Sequence, residues 1–305
     1  MAEPQLDTPK EQAIIYSVPF LTNEHNEFVL WFYTGSKCNL ECSHCYVESG
    51  PHADQHPMLS YETFEKKLNE AVNKQYSKLE IYFTGGEPFV NRNLIKMLQL
   101  SLKFADTTVL TNGTRITDDI AEKLQKLQNI TNHVLTFRVS LDGANAQEND
   151  LIRGKDAFKR ANRGITNLVN HGFNPIITTL RSWSLLEQGK KQEEFVDLLI
   201  DQGIPREDQI LKILPPIRSG REVTRSRPYT TDELFTEECF TDYDYNKLQC
   251  SKCRMVSERG VWVCPILINK ESAKMGETVE EASHAYEMKD MECWTCRMDG
   301  LTCEN

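Results

Sequence analysis

The sequence predicts an α/β fold in which six βα units form an open, partial (β/α)6 barrel of the TIM type, followed by a small cysteine-rich region. Two observations lead to this fold class. Between residues 28 and 220, short apolar runs rich in β-branched and aromatic residues alternate with stretches of helical period, as in a parallel sheet covered by helices. Chemically reactive residues follow the runs, where ligands bind in such barrels.

The elements follow from the periodicity of apolar residues. The predicted strands are residues 28–34, 79–84, 107–111, 134–141, 175–180 and 209–214. The first long helix is expected to begin after Ser60, a favourable N-cap residue, with its apolar stripe on Tyr61, Phe64, Leu68, Ala71 and Val72. A second stripe comprises Phe158, Ala161, Ile165, Leu168 and Val169, and shorter ones begin at Leu94, Ile120 and Phe195. Such stripes indicate core rather than function.

Composition limits the class of protein. The 305 residues carry a net charge of −10, which argues against a nucleic-acid partner. The basic run Arg218, Arg221, Arg225 and Arg227 is interpreted as a solvated connector. The chain contains no apolar stretch of about 18 residues, so no membrane span is expected. The polar N-terminus lacks a secretory signal, which predicts a cytoplasmic location.

Ten cysteines in a reducing compartment suggest metal binding rather than disulfides. Cys38, Cys42 and Cys45 form a CxxxCxxC pattern directly after the first predicted strand. Three thiolates suit a [4Fe-4S] cluster that leaves one iron open to another ligand. A structural zinc site with His44 as a fourth ligand is the alternative.

The pattern changes after residue 220, and we place a boundary near residues 222–235. The expected organisation is an N-terminal extension at 1–27, the barrel at 28–225 and a metal-binding domain at 226–305. Six cysteines fall in that last part, namely Cys250, Cys253, Cys264, Cys293, Cys296 and Cys303. They suffice for one four-ligand cluster with two thiols in reserve, and a zinc ribbon on two CxxC pairs is the alternative. Cys239 is interpreted as a buried thiol.

Four runs in order carry a family resemblance: TGSKCNLECSHCY, YFTGGEPFVN, TNGT and SLDGANAQENDLIRG. Together they resemble the radical S-adenosylmethionine (radical SAM) superfamily, especially members with a SPASM or twitch C-terminal domain. The resemblance spans residues 30–220 and, more loosely, the tail. It implies that the three barrel cysteines bind a [4Fe-4S] cluster, with S-adenosylmethionine chelating the fourth iron. It also places His44 and Tyr46 beside the adenine.

The resemblance assigns further site residues, one motif at a time. Gly85, Gly86, Glu87 and Pro88 match the family's GGEP, in which glycine lets the backbone approach the ligand. Glu87 would then accept a hydrogen bond from the cationic amino group of S-adenosylmethionine. The alternative is a tight βα turn without a ligand.

Ser140 and Arg153 match family positions that hold the ribose and the methionine carboxylate. Arginine suits a carboxylate because its planar fork bonds both oxygens. Arg153 could instead be a surface residue at a helix start. Asn112 lies in the TNGT run, which the family places in the cavity, although a simple turn explains that run equally well.

The tail resembles SPASM and twitch domains incompletely. GVWVCP around Cys264 resembles their opening hairpin, and CWTCRMDGLTC resembles the second half of a SPASM motif. The resemblance favours one auxiliary [4Fe-4S] cluster on Cys253, Cys264, Cys293 and Cys296, with Cys250 and Cys303 in reserve. Two clusters become feasible if both reserve thiols take part.

The resemblance implies reductive cleavage of S-adenosylmethionine to a 5′-deoxyadenosyl radical that abstracts a substrate hydrogen. Flavodoxin or ferredoxin would supply the electron. With an auxiliary cluster as electron acceptor, the favoured outcome is oxidation or crosslinking of a peptide or protein. The alternatives are dehydrogenation or epimerisation of a small metabolite, with Cys239 as a candidate hydrogen donor, methyl or sulfur transfer, and a non-catalytic iron–sulfur or zinc protein.

Overall fold

The computed structural model describes residues 16–230, 233–303 and 305. Its centre is a nine-stranded sheet with the order β10-β9-β8-β2-β3-β4-β5-β6-β7. The strands are β1 Tyr16–Val18, β2 Glu27–Tyr33, β3 Lys78–Thr84, β4 Asp106–Thr111, β5 Leu135–Ser140, β6 Ile176–Leu180, β7 Leu211–Leu214, β8 Cys253–Ser257, β9 Gly260–Trp262, β10 Lys274–Gly276 and β11 Tyr286–Met288. The N-terminal segment used above to predict location lies outside the described residues.

The six strands β2–β7 are parallel and neighbour one another in chain order. This arrangement confirms the predicted α/β class and the open barrel. Strand ends differ from the predicted ones by no more than two residues. Because the strands are parallel, their carboxyl ends meet at one edge, and the loops that follow them share that edge.

The helices are α1 Thr22–His25, α2 Tyr61–Val72, α3 Leu94–Ser101, α4 Asp118–Gln128, α5 Ala146–Arg153, α6 Ala157–Asn170, α7 Gln188–Asp201 and α8 Glu292–Arg297. The N-cap prediction is confirmed, since the Ser60 side chain accepts a hydrogen bond from the Thr63 amide. Helix α5 was not predicted, because its sequence AQENDLIR is mostly polar and shows no apolar stripe. Gly154 stops it with a φ of 94°.

The cysteine-rich tail adds three strands to the same sheet. Strand β8 pairs in parallel with β2, with Val29 opposite Cys253 and Trp31 opposite Met255. Strand β9 returns antiparallel to β8, which forms the hairpin expected around Cys264. Since β2 leads directly into the Cys38 loop, this pairing places the tail beside that loop.

Two apolar clusters lie on opposite faces of β2. Leu30 and Phe32 pack towards the helices, whereas Trp31 and Tyr33 face the barrel interior and the tail. Trp31 stacks on Tyr82 with ring centroids 4.4 Å apart. Burial of alternate residues on both faces explains why this strand reads as a continuous apolar run. Within the described residues, no helix combines the length and apolarity that a membrane span requires.

Candidate active site

Cys38, Cys42 and Cys45 lie on the loop after β2, and all three line one cavity at the carboxyl edge of the barrel. The Leu40 amide lies 3.4 Å from Cys38 Sγ, and the Ser49 amide lies 3.3 Å from Cys45 Sγ. Burial raises the pKa of the Cys38 thiol to about 12. Amide groups directed at these sulfurs suit iron-bound thiolates, whose charge they stabilise.

Arg221, which is distant in the sequence, stabilises this cysteine loop through hydrogen bonds. Its Nε donates to the Cys42 carbonyl at 2.8 Å and its Nη2 to the Ser49 carbonyl at 2.6 Å. The neighbouring Gly220 has a φ of 54°, and a Cβ there would lie 2.4 Å from the Tyr46 carbonyl. A planar fork that bonds two carbonyls fixes the path of the loop between them.

The interpretation of the basic run as a solvated connector is therefore wrong in part. Arg221 holds the cysteine loop, and Arg218 is buried and paired with Glu233 at 2.7 Å. Arg225 and Arg227 are both exposed, but Arg225 donates to the Ser43 hydroxyl and Arg227 pairs with Glu233. Sequence spacing could not show these contacts, because the partners lie up to 182 positions away.

A buried carboxylate connects two of the predicted site residues. Asp142 Oδ2 lies 2.5 Å from His44 Nε2 and 2.6 Å from Arg153 Nε. The pKa of Asp142 is held well below its usual range, because Arg153 and His44 outweigh the effect of burial. Asp142 Oδ1 also accepts a hydrogen bond from the Leu180 amide at 3.1 Å. An ionised Asp142 thus fixes both side chains at the cavity wall.

The contacts of Asp142 leave polar atoms available for a ligand. His44 Nδ1 is buried and has no hydrogen-bond partner among the described residues. His44 and Arg153 both line the cavity. Arg153 is the last residue of α5 and is buried, so the alternative of a surface residue at a helix start is wrong. The sequence placed Asp142 after a strand, but nothing in the pattern assigned it this role.

The GGEP turn divides into two parts. Gly85 and Gly86 line the cavity, and a Cβ on Gly86 would lie 2.3 Å from the Lys37 carbonyl. The cysteine loop therefore approaches this turn more closely than any side chain would allow.

The Glu87 carboxylate is hydrogen-bonded to neighbouring loop residues. Its carboxylate accepts hydrogen bonds from the Thr111 hydroxyl at 2.7 Å and from the amides of Asn112 at 2.8 Å and Phe89 at 3.1 Å. Burial raises its pKa, although these three donors oppose the shift. Neither Glu87 nor Pro88 is among the described residues that line the cavity. Glu87 therefore positions the TNGT loop, and its role as an acceptor for a ligand stays a prediction.

The remaining predicted residues of the barrel meet at the same cavity. Asn112, Ser140 and Tyr46 all line it. Asn112 Nδ2 lies 3.7 Å from Cys38 Sγ and 3.2 Å from Asn39 Oδ1, so the TNGT loop touches the cysteine loop directly. Burial raises the pKa of the Tyr46 phenol, which stays protonated and able to donate a hydrogen bond.

The tail cysteines gather around a second cavity. Its lining includes Cys250, Cys264, Cys293, Cys296 and Cys303. Cys253 is fully buried beside it, with its sulfur 3.5 Å from the Val263 carbonyl oxygen. Cys303 lines this cavity and the barrel cavity alike. In the described part of the chain, no three His, Cys, Asp or Glu side chains converge on the position of a single metal ion.

Cys239 is placed differently from the other thiols. It is half-buried rather than buried, and its sulfur lies 3.6 Å from the Thr236 hydroxyl. It is not among the described residues lining either cysteine cavity. The expectation that Cys239 is a buried thiol is therefore wrong, and its position gives no support to a role as hydrogen donor.

Comparison with known families decides the identity of this site. The Radical SAM superfamily matches the chain over residues 32–199, which is more than half of its length. The chain belongs to the radical SAM superfamily. Membership implies a [4Fe-4S] cluster and S-adenosylmethionine. The residues present fit these groups, because the buried thiol of Cys38, the half-buried thiols of Cys42 and Cys45, an orphaned His44 nitrogen and the Arg153 guanidinium all face one cavity.

Several curated radical SAM relatives match part of the chain. Mycofactocin maturase MftC of Mycolicibacterium smegmatis is 34% identical over 142 residues, which cover 45% of this chain and 33% of that protein. The subtilosin biosynthesis protein AlbA of Bacillus subtilis is 34% identical over 158 residues, covering 50% and 34%. The match thus spans about a third of the length of either relative.

Solved structures show a similar fold over most of the chain. Native anSMEcpe with bound AdoMet superposes with a TM-score of 0.61 at 14% identity, covering 83% of this chain and 79% of that one. Streptococcus suis SuiB bound to precursor peptide SuiA gives a TM-score of 0.60 at 16% identity, covering 84% and 64%. Since both identities are low, these similarities support the barrel and its C-terminal extension as a fold.

Proposed function

We propose that this radical SAM protein oxidises or crosslinks a peptide substrate. The observation that carries the proposal is that Cys303 connects two cavities, one lined by the three barrel cysteines and the other by the tail cysteines. Two redox groups held there would face a shared space. The names of relatives agree with a peptide substrate, since MftC is a maturase, AlbA serves bacteriocin biosynthesis and SuiB binds a precursor peptide.

Each barrel residue would bind a different part of the cluster or of S-adenosylmethionine. Cys38, Cys42 and Cys45 would hold the cluster, and when bound the cluster and S-adenosylmethionine supply a 5′-deoxyadenosyl radical that removes a hydrogen atom from the substrate. Arg153 would bond the methionine carboxylate through its fork. His44 Nδ1 would bond the adenine edge.

Ser140 would bond the ribose hydroxyls, and Tyr46 would extend the wall beside the adenine. Ionised Asp142 keeps His44 and Arg153 in place before the ligand arrives, so less ordering is needed on binding. A buried cavity also keeps water away from a reactive radical.

The tail residues would hold an auxiliary [4Fe-4S] cluster that accepts the substrate electron. Cys264, Cys293 and Cys296 all line the second cavity and form the core of the proposed ligand set. Cys253, favoured on sequence as the fourth ligand, is buried at its edge, whereas Cys250 faces the cavity. Residues 226–305 would form this auxiliary domain, and a flavodoxin or ferredoxin would reduce the barrel cluster.

A second candidate substrate is a small metabolite. The Fe-coproporphyrin III synthase of Methanosarcina barkeri is 31% identical over 180 residues, covering 58% of this chain and 42% of that protein. This likeness supports a small-molecule substrate, and dehydrogenation or epimerisation of a small metabolite is therefore the second candidate. Supplying a candidate peptide or metabolite during turnover and measuring its mass distinguishes the two.

The proposal is tested by anaerobic reconstitution with iron and sulfide, followed by dithionite and S-adenosylmethionine. We expect about eight irons per chain, since each cubane carries about four, and release of 5′-deoxyadenosine. Cys42→Ala should abolish that release. The double variant Cys293→Ala/Cys296→Ala should hold about four irons and still release 5′-deoxyadenosine.

Cys239→Ala is the matched control, because this thiol lies outside both cavities. It should retain the iron content and activity of the unmodified protein. An unmodified protein with about four irons would contradict the auxiliary cluster. Release of 5′-deoxyadenosine at the normal rate by Cys42→Ala would contradict the assignment of the barrel cluster.

A further inference from the structure

Arg138 on β5 is a buried arginine that faces the barrel cavity. Its neighbours in the strand, Phe137 and Val139, pack into the core between sheet and helices. Because side chains alternate along a strand, Arg138 shares the inner face with Ser140, which also lines the cavity. They are two positions apart along the strand, so Arg138 lies roughly 7 Å deeper in the barrel than Ser140.

Among the residues that the structure describes, Arg138 has no counterion for its charge. Nε donates to the Thr178 hydroxyl at 3.2 Å, and Nη1 donates to the Cys303 carbonyl. Nη2 makes no hydrogen bond to any residue in the described ranges. No carboxylate of those residues lies within ion-pair distance of Arg138, unlike Arg153, which has Asp142, and Arg218, which has Glu233.

A buried guanidinium without a counterion is energetically costly. Arginine keeps its proton even when burial lowers its pKa, as it does here. The cost falls when a ligand brings a negative charge, and a carboxylate matches the fork of the guanidinium in shape and charge. The surroundings agree with a ligand site, since Leu110, Leu214 and Ile217 provide apolar walls around few polar groups.

We propose that Arg138 is the substrate-anchoring residue of the cavity and binds a carboxylate of the substrate. This inference rests on the proposed function, because it assigns the substrate a negatively charged group. For a peptide, that group is the side chain of an Asp or Glu residue or the free C-terminal carboxylate. Ser140 and Arg153 lie nearer the carboxyl edge, which leaves Arg138 available for the substrate rather than for S-adenosylmethionine.

The test is calorimetric binding to the reconstituted protein with S-adenosylmethionine and without reductant, so that no turnover occurs. The probes are Ac-Gly-Gly-Glu-Gly-Gly-NH2 and its Gln analogue, and acetyl-pentaglycine as free acid and as amide. We expect at least one acid to bind about tenfold more tightly than its amide, the low end for a hydrogen bond to a charged group. The pair that shows the difference identifies the source of the carboxylate.

Arg138→Gln should abolish the preference for the acid, and Arg138→Lys should retain part of it. Arg206→Gln is the matched control, because Arg206 is a surface arginine paired with Glu193 far from the cavity lining, and it should bind like the unmodified protein. Circular dichroism and the affinity for S-adenosylmethionine verify that each variant is folded.

Three results overturn the proposal. One is equal binding of acid and amide by the unmodified protein, and another is an unchanged preference in Arg138→Gln. The third is a loss of S-adenosylmethionine binding in Arg138→Gln with the peptide preference intact, which would assign Arg138 to the cofactor. A separate assay tests the proposed function: if the unmodified protein releases no 5′-deoxyadenosine, the proposed function fails, whatever the binding results.

Discussion

Replacing Asp142 by Asn removes the charge that organises one wall of the cavity. Asp142 lies 2.5 Å from His44 Nε2 and 2.6 Å from Arg153 Nε, and it is 2% exposed. Asn has nearly the same shape, so the variant creates no cavity. It leaves the buried guanidinium of Arg153 without a counterion, and it offers a single oxygen where the carboxylate offered two.

The expected loss of unfolding free energy in Asp142→Asn follows from the cost of an uncompensated buried charge. Removing one partner of a buried ion pair costs about 3–5 kcal/mol. We expect about 3 kcal/mol for Asp142→Asn, the low end of that range, because the Asn oxygen can still accept the hydrogen bond from the Leu180 amide. S-adenosylmethionine should bind more weakly as well, since His44 and Arg153 lose the group that orients them.

The dependence on pH follows from the lowered pKa of Asp142. In the unfolded chain its pKa is about 3.9, so the ionised form stabilises the fold fully above about pH 5, and this stability is lost as the pH falls below about 4. The difference between the unmodified protein and Asp142→Asn should therefore stay constant between about pH 6 and pH 8. It should shrink in more acidic solution.

Urea unfolding of the metal-free proteins measures this difference, and equilibrium binding of S-adenosylmethionine to the reconstituted proteins measures the second effect. Asp54→Asn is the control, since Asp54 is exposed in a loop and should change stability little. If Asp142→Asn unfolds at the same urea concentration as the unmodified protein, Asp142 does not carry the charge compensation assigned to it.

Three further variants test the contacts around the cysteine loop. Arg221→Ala removes two hydrogen bonds to carbonyls of the cysteine loop, so we expect reconstitution to yield less iron per chain, with partial recovery in Arg221→Lys. Glu87→Gln turns an amide group towards donors such as the Asn112 amide and should lower the free energy of unfolding by about 1–3 kcal/mol, measured in urea. Gly86→Ala places a Cβ 2.3 Å from the Lys37 carbonyl and should prevent cluster assembly. Its control is Gly189→Ala, where the added Cβ meets no atom within 4 Å; equal iron content in these two variants would contradict the close approach.

The turn motifs show how far local sequence can specify a site. The cysteine, GGEP, TNGT and SLDG runs, taken in their order along the chain, predict that twelve residues from Cys38 to Arg153 share one cavity. The fold brings ten of them together, because each run follows a parallel strand and the strand ends share an edge. Glu87 and Pro88 are not among the lining residues, since a side chain at the end of a strand can face either the cavity or the neighbouring loop.

The periodicity of apolar residues predicted which residues are buried. From that pattern the strands, the helices and the open barrel followed. The spacing of the cysteines predicted the cluster-binding loop, because its proposed ligands lie within one short segment. The roles of Asp142, Arg221 and Arg138 required the folded chain, as did the pairing of β8 with β2. Their partners come from other strands and from the tail, and a burial pattern carries no information about which distant side chain supplies the opposite charge.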